Sequence, residues 1–312
     1  FSMFSVIFPG QGTQVVGMGA ELYKNHAYIR ELFEEADETL GFKLSKLILE
    51  GPKEELDLTE FTQPAIFLIS YSIFMMIKLE TNIDLSKAKY FAGHSLGEYS
   101  ALAASESLKF KEAIKLLNKR GKAMQISVPK GEGGMVAVLG AELNKINELL
   151  KENKGRYQCY LANDNSNGQI VLSGKIKDLN LMSEDLKKKS IKNIKLPVSA
   201  PFHCPLMEKA TQIMKNEINN TEFVSPKNTI ISNVTGEAVN EVEKIKDLLI
   251  KQIESPVRWR ESVLHMQKNK INKFIEIGPG KVLSGLIKRI DRNLISLPIN
   301  SIEDTINLNL ND

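Results

Sequence analysis

Cysteine is scarce in this chain: Cys159 and Cys204 are the only two among 312 residues, and they do not form a CxxC pair. A disulfide-stapled scaffold needs several cysteines, and a structural zinc site needs clustered cysteine or histidine. The composition argues against both classes and indicates a reducing compartment. The strand-like run 1–7 shows no basic segment or cleavage site, so no signal peptide is visible. We expect the cytoplasm, or a plastid-type organelle after removal of a targeting segment.

Long apolar runs are missing as well. The longest candidates, Ala65–Ile69 and Ile73–Ile77, fall short of the roughly 20 residues that cross a bilayer. The net charge is only +3, from 41 Lys plus Arg against 38 Asp plus Glu, which does not require nucleic acid as a partner. We therefore expect a monomer that binds neither a membrane nor nucleic acid.

The hydrophobic fraction of 42% is enough to bury a sizeable core. Apolar spacing predicts strands at 3–8, 89–92, 230–233 and 273–277, with helices at 21–40, 63–79, 98–108 and 111–124. Pro64 would lie in the first turn of the 63–79 helix, where a missing N–H costs nothing. These elements predict an α/β body with a mostly parallel sheet.

The pattern of predicted elements changes after the glycine-rich stretch 129–134. Strand 135–139, helix 143–151, strands 157–163 and 169–173, helix 177–189 and strand 194–198 follow in the β-α-β-β-α-β order of a ferredoxin-like unit. We interpret this unit as a small inserted α+β subdomain. The predicted organisation is a large subdomain at 1–127, the small subdomain at 128–197, and the rest of the large subdomain at 198–312.

The pentapeptide Gly93-His94-Ser95-Leu96-Gly97 has the GxSxG pattern of a nucleophile elbow. A serine at the apex of a tight strand-to-helix turn has a strained backbone, and side chains two residues before and after it would collide. A strand is predicted before this pattern and a helix after it. The turn would place Ser95 at a helix N-terminus, where backbone N–H groups can stabilise an oxyanion. The alternative is an ordinary glycine turn with a surface serine.

A nucleophilic serine needs a base, and the chain has four histidines to offer. His94 is adjacent to Ser95 and should point away from it, while His26 and His265 lie in helical patterns. His203 lies in an irregular segment between Pro201 and Pro205, where rigid neighbours can hold a catalytic group. We therefore take His203 as the leading base, although a lone loop histidine is often a structural residue.

The sequence offers no obvious acid to orient that histidine. Asp164 is the one loop-like candidate between Ser95 and His203, and it belongs to the small subdomain. We expect a Ser–His dyad in which a backbone carbonyl accepts the imidazole N–H.

Two other features point to substrate binding. Glycines on both sides of Gln11 allow close backbone approach to a ligand, so this loop could supply a second oxyanion N–H. The loop matches neither GxGxxG nor a P-loop. Arg120, one of only seven arginines, lies at helical spacing from Leu116 and Met124. It is either a solvated arginine at a helix end or a fork that grips a substrate carboxylate.

Together, these motifs resemble the malonyl-CoA:acyl carrier protein transacylases of fatty-acid synthesis over almost the whole chain. The matching segments, in the family's order, are Phe8–Gly12, Thr62–Ala65, Gly93–Leu102, Arg120–Gln125, His203, Asn233–Val234, Pro256–Trp259 and Gly278–Leu283. In combination they are highly specific, whereas GxSxG alone is not.

The resemblance implies malonyl transfer from malonyl-CoA to the phosphopantetheine thiol of acyl carrier protein, with no metal and no cofactor. It implies a hydrolase-like α/β body. Ser95 matches the acylated nucleophile and His203 its base, and Arg120 matches the arginine that binds the malonyl carboxylate. Gln11 and Leu96 match the positions of the oxyanion-hole N–H groups.

The resemblance also assigns roles outside the main motifs. Gln252 matches the glutamine whose backbone carbonyl orients the histidine, and Lys288 with Arg289 match a basic pair that we expect at the carrier-docking surface. Two residues depart from the usual pattern. Phe202 resembles malonyl-selective polyketide acyltransferases, and Arg258 before Trp259 has no evident consequence.

Three rival functions stay open from the sequence. A discrete acyltransferase serving a polyketide synthase would use identical chemistry. A hydrolase-type serine esterase would need an acid partner and would leave Arg120 without a role. A non-catalytic carrier-binding module would not need both Ser95 and His203.

Overall fold

The computed structural model describes residues 3–308 and 310. Its large sheet has six strands: β1 (Phe4–Phe8), β2 (Tyr90–Gly93), β7 (Thr229–Ile231), β8 (Ala238–Val239), β9 (Lys273–Ile277) and β10 (Ile295–Ile299). The strand order is β10-β9-β1-β2-β7-β8, and every neighbouring pair is parallel except β7 with β8. The expected α/β body with a mostly parallel sheet is confirmed. Because β1 and β2 are central, the loops that follow them meet at the carboxyl edge of the sheet.

The small sheet is antiparallel and comprises β3 (Gly133–Leu139), β4 (Cys159–Ser166), β5 (Gln169–Lys175) and β6 (Lys192–Lys195). Helices α8 (Leu143–Glu152) and α9 (Ile176–Lys188) connect its strands, and the order in space is β4-β5-β3-β6. This is the ferredoxin-like arrangement that the sequence predicts. All four strands lie within 128–197, the predicted small subdomain.

Helices cover the large sheet. They are α1 (Ala20–Asn25), α2 (Ala27–Leu40), α3 (Leu44–Glu50), α4 (Lys53–Leu56), α5 (Thr59–Glu80), α6 (Gly97–Ala104), α7 (Phe110–Ile126), α10 (Glu208–Asn219), α11 (Val242–Gln252), α12 (Trp259–Lys268) and α13 (Val282–Ile290). The apolar core between sheet and helices includes Phe8, Phe67 and Phe91, none of which is measurably exposed.

The prediction of a single helix over 21–40 is wrong, because the helix is interrupted at His26. This residue has an extended backbone, and its ring lies 3.2 Å from the carboxylate of Glu80 and against Tyr28. Apolar spacing continues across α1 and α2, so periodicity alone does not reveal the break.

The position predicted for Pro64 is also wrong. Helix α5 begins at Thr59, so Pro64 is its sixth residue and leaves the Glu60 carbonyl without its usual donor four residues on. Asn118 Nδ2 on α7 donates to that carbonyl at 3.0 Å. Tertiary contact therefore compensates for an interior proline.

Helix α5 is long and apolar enough to pass a length-and-composition test for a membrane span, and in the described chain it alone does so. Most of it is buried inside the fold, and it packs against α7. We therefore describe α5 as a core helix.

The two sheets are joined by specific contacts. Val257, just before α12, donates its N–H to Ala162 O and accepts one from Asp164, forming an isolated parallel bridge to β4. The buried Asp164 carboxylate also receives two donors of the Arg260 guanidinium, from Nη2 at 2.9 Å and from Nε at 3.1 Å. These contacts place the small sheet over the carboxyl edge of the large one.

Candidate active site

Ser95 lies between β2 and α6 with a backbone φ of 55°. A Cβ on Gly93 would lie 1.9 Å from the backbone of Gly97, and a Cβ on Gly97 would lie 2.4 Å from the carbonyl oxygen of Phe8. Both contacts are far below van der Waals distance, so the two glycines are sterically required. This geometry is that of a nucleophile elbow and not that of an ordinary glycine turn.

His203 lies directly against this serine. The distance from Ser95 Oγ to His203 Nε2 is 2.8 Å, and His203 Nδ1 lies 2.8 Å from the backbone carbonyl oxygen of Gln252. Since that carbonyl can only accept, it fixes the proton on Nδ1 and leaves Nε2 free to accept the serine proton. The geometry is that of the expected dyad oriented by a backbone carbonyl.

His203 is also kept neutral by its surroundings. Burial first, and then the positive charge of Arg120, lower the pKa of His203 to about 3. The loop that carries it is held from the small sheet, because Ser173 Oγ donates to Phe202 O at 2.5 Å. A neutral imidazole is the form that can act as a general base.

Arg120 is fully buried in α7, which rules out a solvated arginine at a helix end. Its Nη1 donates to Gln63 Oε1 at 2.7 Å, and its Nη2 donates to Gln252 Oε1 at 2.7 Å and to Ser95 Oγ at 3.1 Å. Within the described part of the chain, no carboxylate lies within ion-pair distance of this guanidinium, and its Nε has no partner. A buried cation that only neutral acceptors hold beside the nucleophile is well suited to bind an anionic acyl group.

The loop of Gln11 packs directly against the elbow. A Cβ on Gly10 would lie 2.6 Å from the carbonyl oxygen of His94, so only glycine allows this approach. No residue in the described ranges accepts a hydrogen bond from the backbone N–H of Gln11 or Leu96. Two free N–H groups beside Ser95 are what an oxyanion hole requires.

A cavity of about 360 Å³ opens in front of these groups. Its floor includes Gln11, Ser95 and His203 from the large body, and Met135 and Asn163 line it from the small sheet. Phe202 lines the same cavity, so the aromatic departure from the family pattern lies where the acyl group would bind.

Comparison with known proteins decides the family. A family model described as an acyl transferase domain matches residues 5–295. The chain is 43% identical to the malonyl CoA-acyl carrier protein transacylase of Bacillus subtilis over 306 residues, covering 97% of this chain and 95% of that protein. The corresponding enzyme of Haemophilus influenzae is 38% identical over 300 residues, 96% of each chain. The chain belongs to the malonyl-CoA:acyl carrier protein transacylase family.

Solved structures of family members agree in fold. The malonyl CoA-acyl carrier protein transacylase from Coxiella burnetii superposes with a TM-score of 0.93 at 39% identity, covering 97% of this chain and 96% of that one. A malonyl-transacylase solved in complex with a type II PKS acyl-carrier protein gives a TM-score of 0.93 at 36% identity and 98% coverage of both chains.

Several residues around the transacylase site have no role in the sequence analysis. In the sequence, Asn233 and Gln63 appear only as members of the segments that match the family. In the structure, Asn233 Oδ1 accepts the Ser95 N–H at 2.8 Å, and Gln63 accepts a hydrogen bond from Arg120. Asn165 is missed altogether, and its Oδ1 lies 2.8 Å from His94 Nε2. These contacts join residues 57 to 138 positions apart, so local patterns do not reveal them.

Lys288 and Arg289 are exposed at the C-terminal end of α13. Neither residue lines the cavity in front of Ser95 and His203. Among the described residues, no three His, Cys, Asp or Glu side chains lie together in a way that could hold a metal ion.

The elbow sterics can be tested on stability. We expect Gly97→Ala to lower the free energy of unfolding by about 2 kcal/mol or more, because the new methyl group overlaps the Phe8 carbonyl. Gly285→Ala in α13 is the matched control, since a Cβ there meets open space and should be neutral or stabilising by up to about 1 kcal/mol. Urea unfolding of both variants measures the difference, and equal midpoints would contradict the steric argument.

Proposed function

We propose that this protein transfers a malonyl group from malonyl-CoA to the phosphopantetheine thiol of acyl carrier protein and thereby supplies fatty-acid synthesis. The observation that carries this proposal is the buried Arg120 guanidinium, 3.1 Å from Ser95 Oγ and without a carboxylate partner in the described chain. The malonyl carboxylate would complete this fork while the thioester carbonyl lies at the serine. The names of the relatives support the same substrate and partner.

In the first half-reaction Ser95 Oγ attacks the thioester carbonyl carbon, and His203 Nε2 takes the serine proton. The N–H groups of Gln11 and Leu96 stabilise the tetrahedral oxyanion. The C–S bond then breaks, His203 returns its proton to the departing coenzyme A sulfur, and a malonyl-serine ester remains.

In the second half-reaction the carrier's thiol takes the place of coenzyme A. His203 accepts the thiol proton, the sulfur attacks the ester carbonyl, and Ser95 leaves with the proton returned to its oxygen. All steps use side chains and backbone N–H groups of this chain. The coenzyme A thioester is a substrate, and phosphopantetheine belongs to the partner.

A transfer assay tests the proposal. Intact-mass spectrometry after incubation with malonyl-CoA should show one malonyl group on the protein, and adding carrier protein bearing phosphopantetheine should remove it. Hydrolysis of malonyl-CoA with no lasting adduct would indicate an esterase. An absence of reaction would indicate a binding module.

A discrete acyltransferase for polyketide synthesis is the second candidate, because one structural neighbour is a malonyl-transacylase bound to a type II PKS carrier. The two readings differ only in the carrier that accepts malonyl. Transfer rates to a fatty-acid carrier and to a polyketide carrier from the source organism separate them.

The carrier-docking surface is a further prediction. Carrier proteins are acidic, so reversing both charges in Lys288→Glu/Arg289→Glu should slow transfer to carrier about tenfold through weaker association, while malonylation of Ser95 stays unchanged. Lys187→Glu/Lys188→Glu, on the exposed end of α9, is the matched control. Equal slowing of both half-reactions would point to a damaged fold, and slowing only in the control would move the docking surface to the small subdomain.

A further inference from the structure

Glu98 is a buried carboxyl group that the mechanism above does not use. It lies on α6, three residues after the nucleophile, and is 3% exposed. No lysine, arginine or histidine nitrogen in the described chain comes within 4.0 Å of its oxygens. Burying a carboxyl group costs free energy unless hydrogen bonds satisfy its oxygens.

The contact that Glu98 makes leads directly to the elbow. Its Oε1 accepts the backbone N–H of Asn233 at 2.6 Å. The side chain of Asn233 then bridges the turn: its Oδ1 accepts the Ser95 N–H at 2.8 Å, and its Nδ2 donates to the Gly93 carbonyl at 2.7 Å. The strained Ser95 backbone, with φ at 55°, is therefore held from both sides by one amide group.

The same network reaches the substrate-binding arginine. Gln252 Nε2 donates to Asn233 Oδ1 and to the Ser95 carbonyl, both at 3.1 Å, while Gln252 Oε1 accepts from Arg120. A displacement of Asn233 would thus shift the nucleophile first and the guanidinium only through a second amide.

We propose that Glu98 is a positioning residue for the nucleophile: its carboxylate fixes the Asn233 backbone, and Asn233 in turn holds Ser95 in its reactive conformation. This proposal rests on the proposed function only in using malonylation of Ser95 as its measurement. The Glu98 side chain makes no hydrogen bond to Ser95 or His203 and does not line the substrate cavity, so its carboxylate acts through Asn233.

The charged groups around Glu98 set the pH at which this contact weakens. Burial raises the pKa of Glu98 to about 7, against the opposing effects of the Asn233 N–H, the Gln252 amide and the Arg120 charge. Tyr99, which interacts electrostatically with Glu98, does not change charge in this pH range, because burial raises its pKa to about 12. The dyad histidine does not change charge there either, because burial lowers the pKa of His203 to about 3. Burial likewise lowers the pKa of His94. A protonated Glu98 is a weaker acceptor and must place its own O–H.

Two substitutions separate positioning from packing. Glu98→Leu fills a similar volume without an acceptor, whereas Glu98→Gln keeps an acceptor oxygen at the same place. We expect kcat for malonylation to fall about 10²-fold in Glu98→Leu with KM within about threefold, because small misplacements of a reacting group have effects of this size. Glu98→Gln keeps a neutral acceptor, like the protonated carboxyl, so it should be slower than the wild-type protein but at least about tenfold faster than Glu98→Leu.

Glu276→Leu is the matched control for loss of a buried glutamate. Glu276 is fully buried in β9 and accepts hydrogen bonds from Ser284 on α13, not from the elbow. We expect this variant to lose stability while keeping kcat. The proposal is overturned if Glu98→Leu keeps kcat within about twofold, or if Glu98→Gln is as slow as Glu98→Leu.

A pH profile keeps the proposal testable if Glu98→Leu does not fold. Malonylation by the wild-type protein should slow as the pH falls from 8 to 6 and approach the rate of Glu98→Gln, which should itself show no such decline. Identical profiles would overturn the proposal. If the wild-type protein is not malonylated at all, the proposed function fails. If it is malonylated but the variants do not differ as expected, only the role of Glu98 fails.

Discussion

Arg120→Ala lowers malonyl transfer by about 10² or more, while acetyl transfer falls far less or rises. Malonyl differs from acetyl by one carboxylate, and a charged hydrogen-bonding partner inside a cleft contributes about 3 kcal/mol. The structure strengthens this expectation, since the guanidinium is fully buried and already oriented by Gln63 and Gln252. An acetyl group leaves that buried charge unmatched, so the wild-type protein should discriminate strongly against it.

The measurement is the ratio of malonyl to acetyl transfer rates in the wild-type protein, Arg120→Ala and Arg120→Lys. Lysine keeps the charge but loses the planar fork, so its ratio should be intermediate. Removing Arg120 also leaves the Oε1 atoms of Gln63 and Gln252 without this donor, and thermal unfolding must accompany the kinetics. An unchanged ratio would show that malonyl selectivity arises elsewhere in the cavity.

Ser95→Ala abolishes the malonyl-enzyme and lowers transfer by about 10⁴ or more, because the group that forms the covalent intermediate is gone. The fold should persist, since the hydroxyl contributes little packing. Intact-mass spectrometry after incubation with malonyl-CoA checks the result.

Ser100→Ala is the matched control for that substitution. Ser100 lies on α6, the helix that follows the elbow, and its buried hydroxyl has no hydrogen-bond partner in the described structure. We expect this variant to be malonylated like the wild-type protein. A malonyl adduct on Ser95→Ala would refute the assignment of the nucleophile.

Much of the fold follows from local patterns. The glycines around Ser95 predict the elbow because their requirement is steric and short-range, and the β-α-β-β-α-β order predicts the small sheet because each element has its own periodicity. The short strand β8 is not predicted because two residues are too few to show a pattern. The edge strand β10 is not predicted because Pro298 lies inside it, although its apolar residues alternate.

The site is harder to predict than the fold. The sequence identifies Ser95 and His203 as partners only because few histidines compete. It leaves Arg120 open between surface and cleft, because burial depends on packing against Gln63 and Gln252 from distant elements. Glu98 is invisible for the same reason, since its one strong contact is to a residue 135 positions away.

The bridge between Val257 and β4, with the ion pair of Asp164 and Arg260, has a consequence for how the two thiol substrates share one cleft. These contacts join the two sheets whose residues line the cleft, so coenzyme A and a protein-borne thiol enter between the same two walls. Two substrates of such different size, one the malonyl donor and the other its acceptor, can use it only in turn, each presenting the same slender pantetheine end. The two substrates therefore bind one after the other for two reasons: they share one cleft, and the malonyl-serine ester must form before the carrier thiol can attack it.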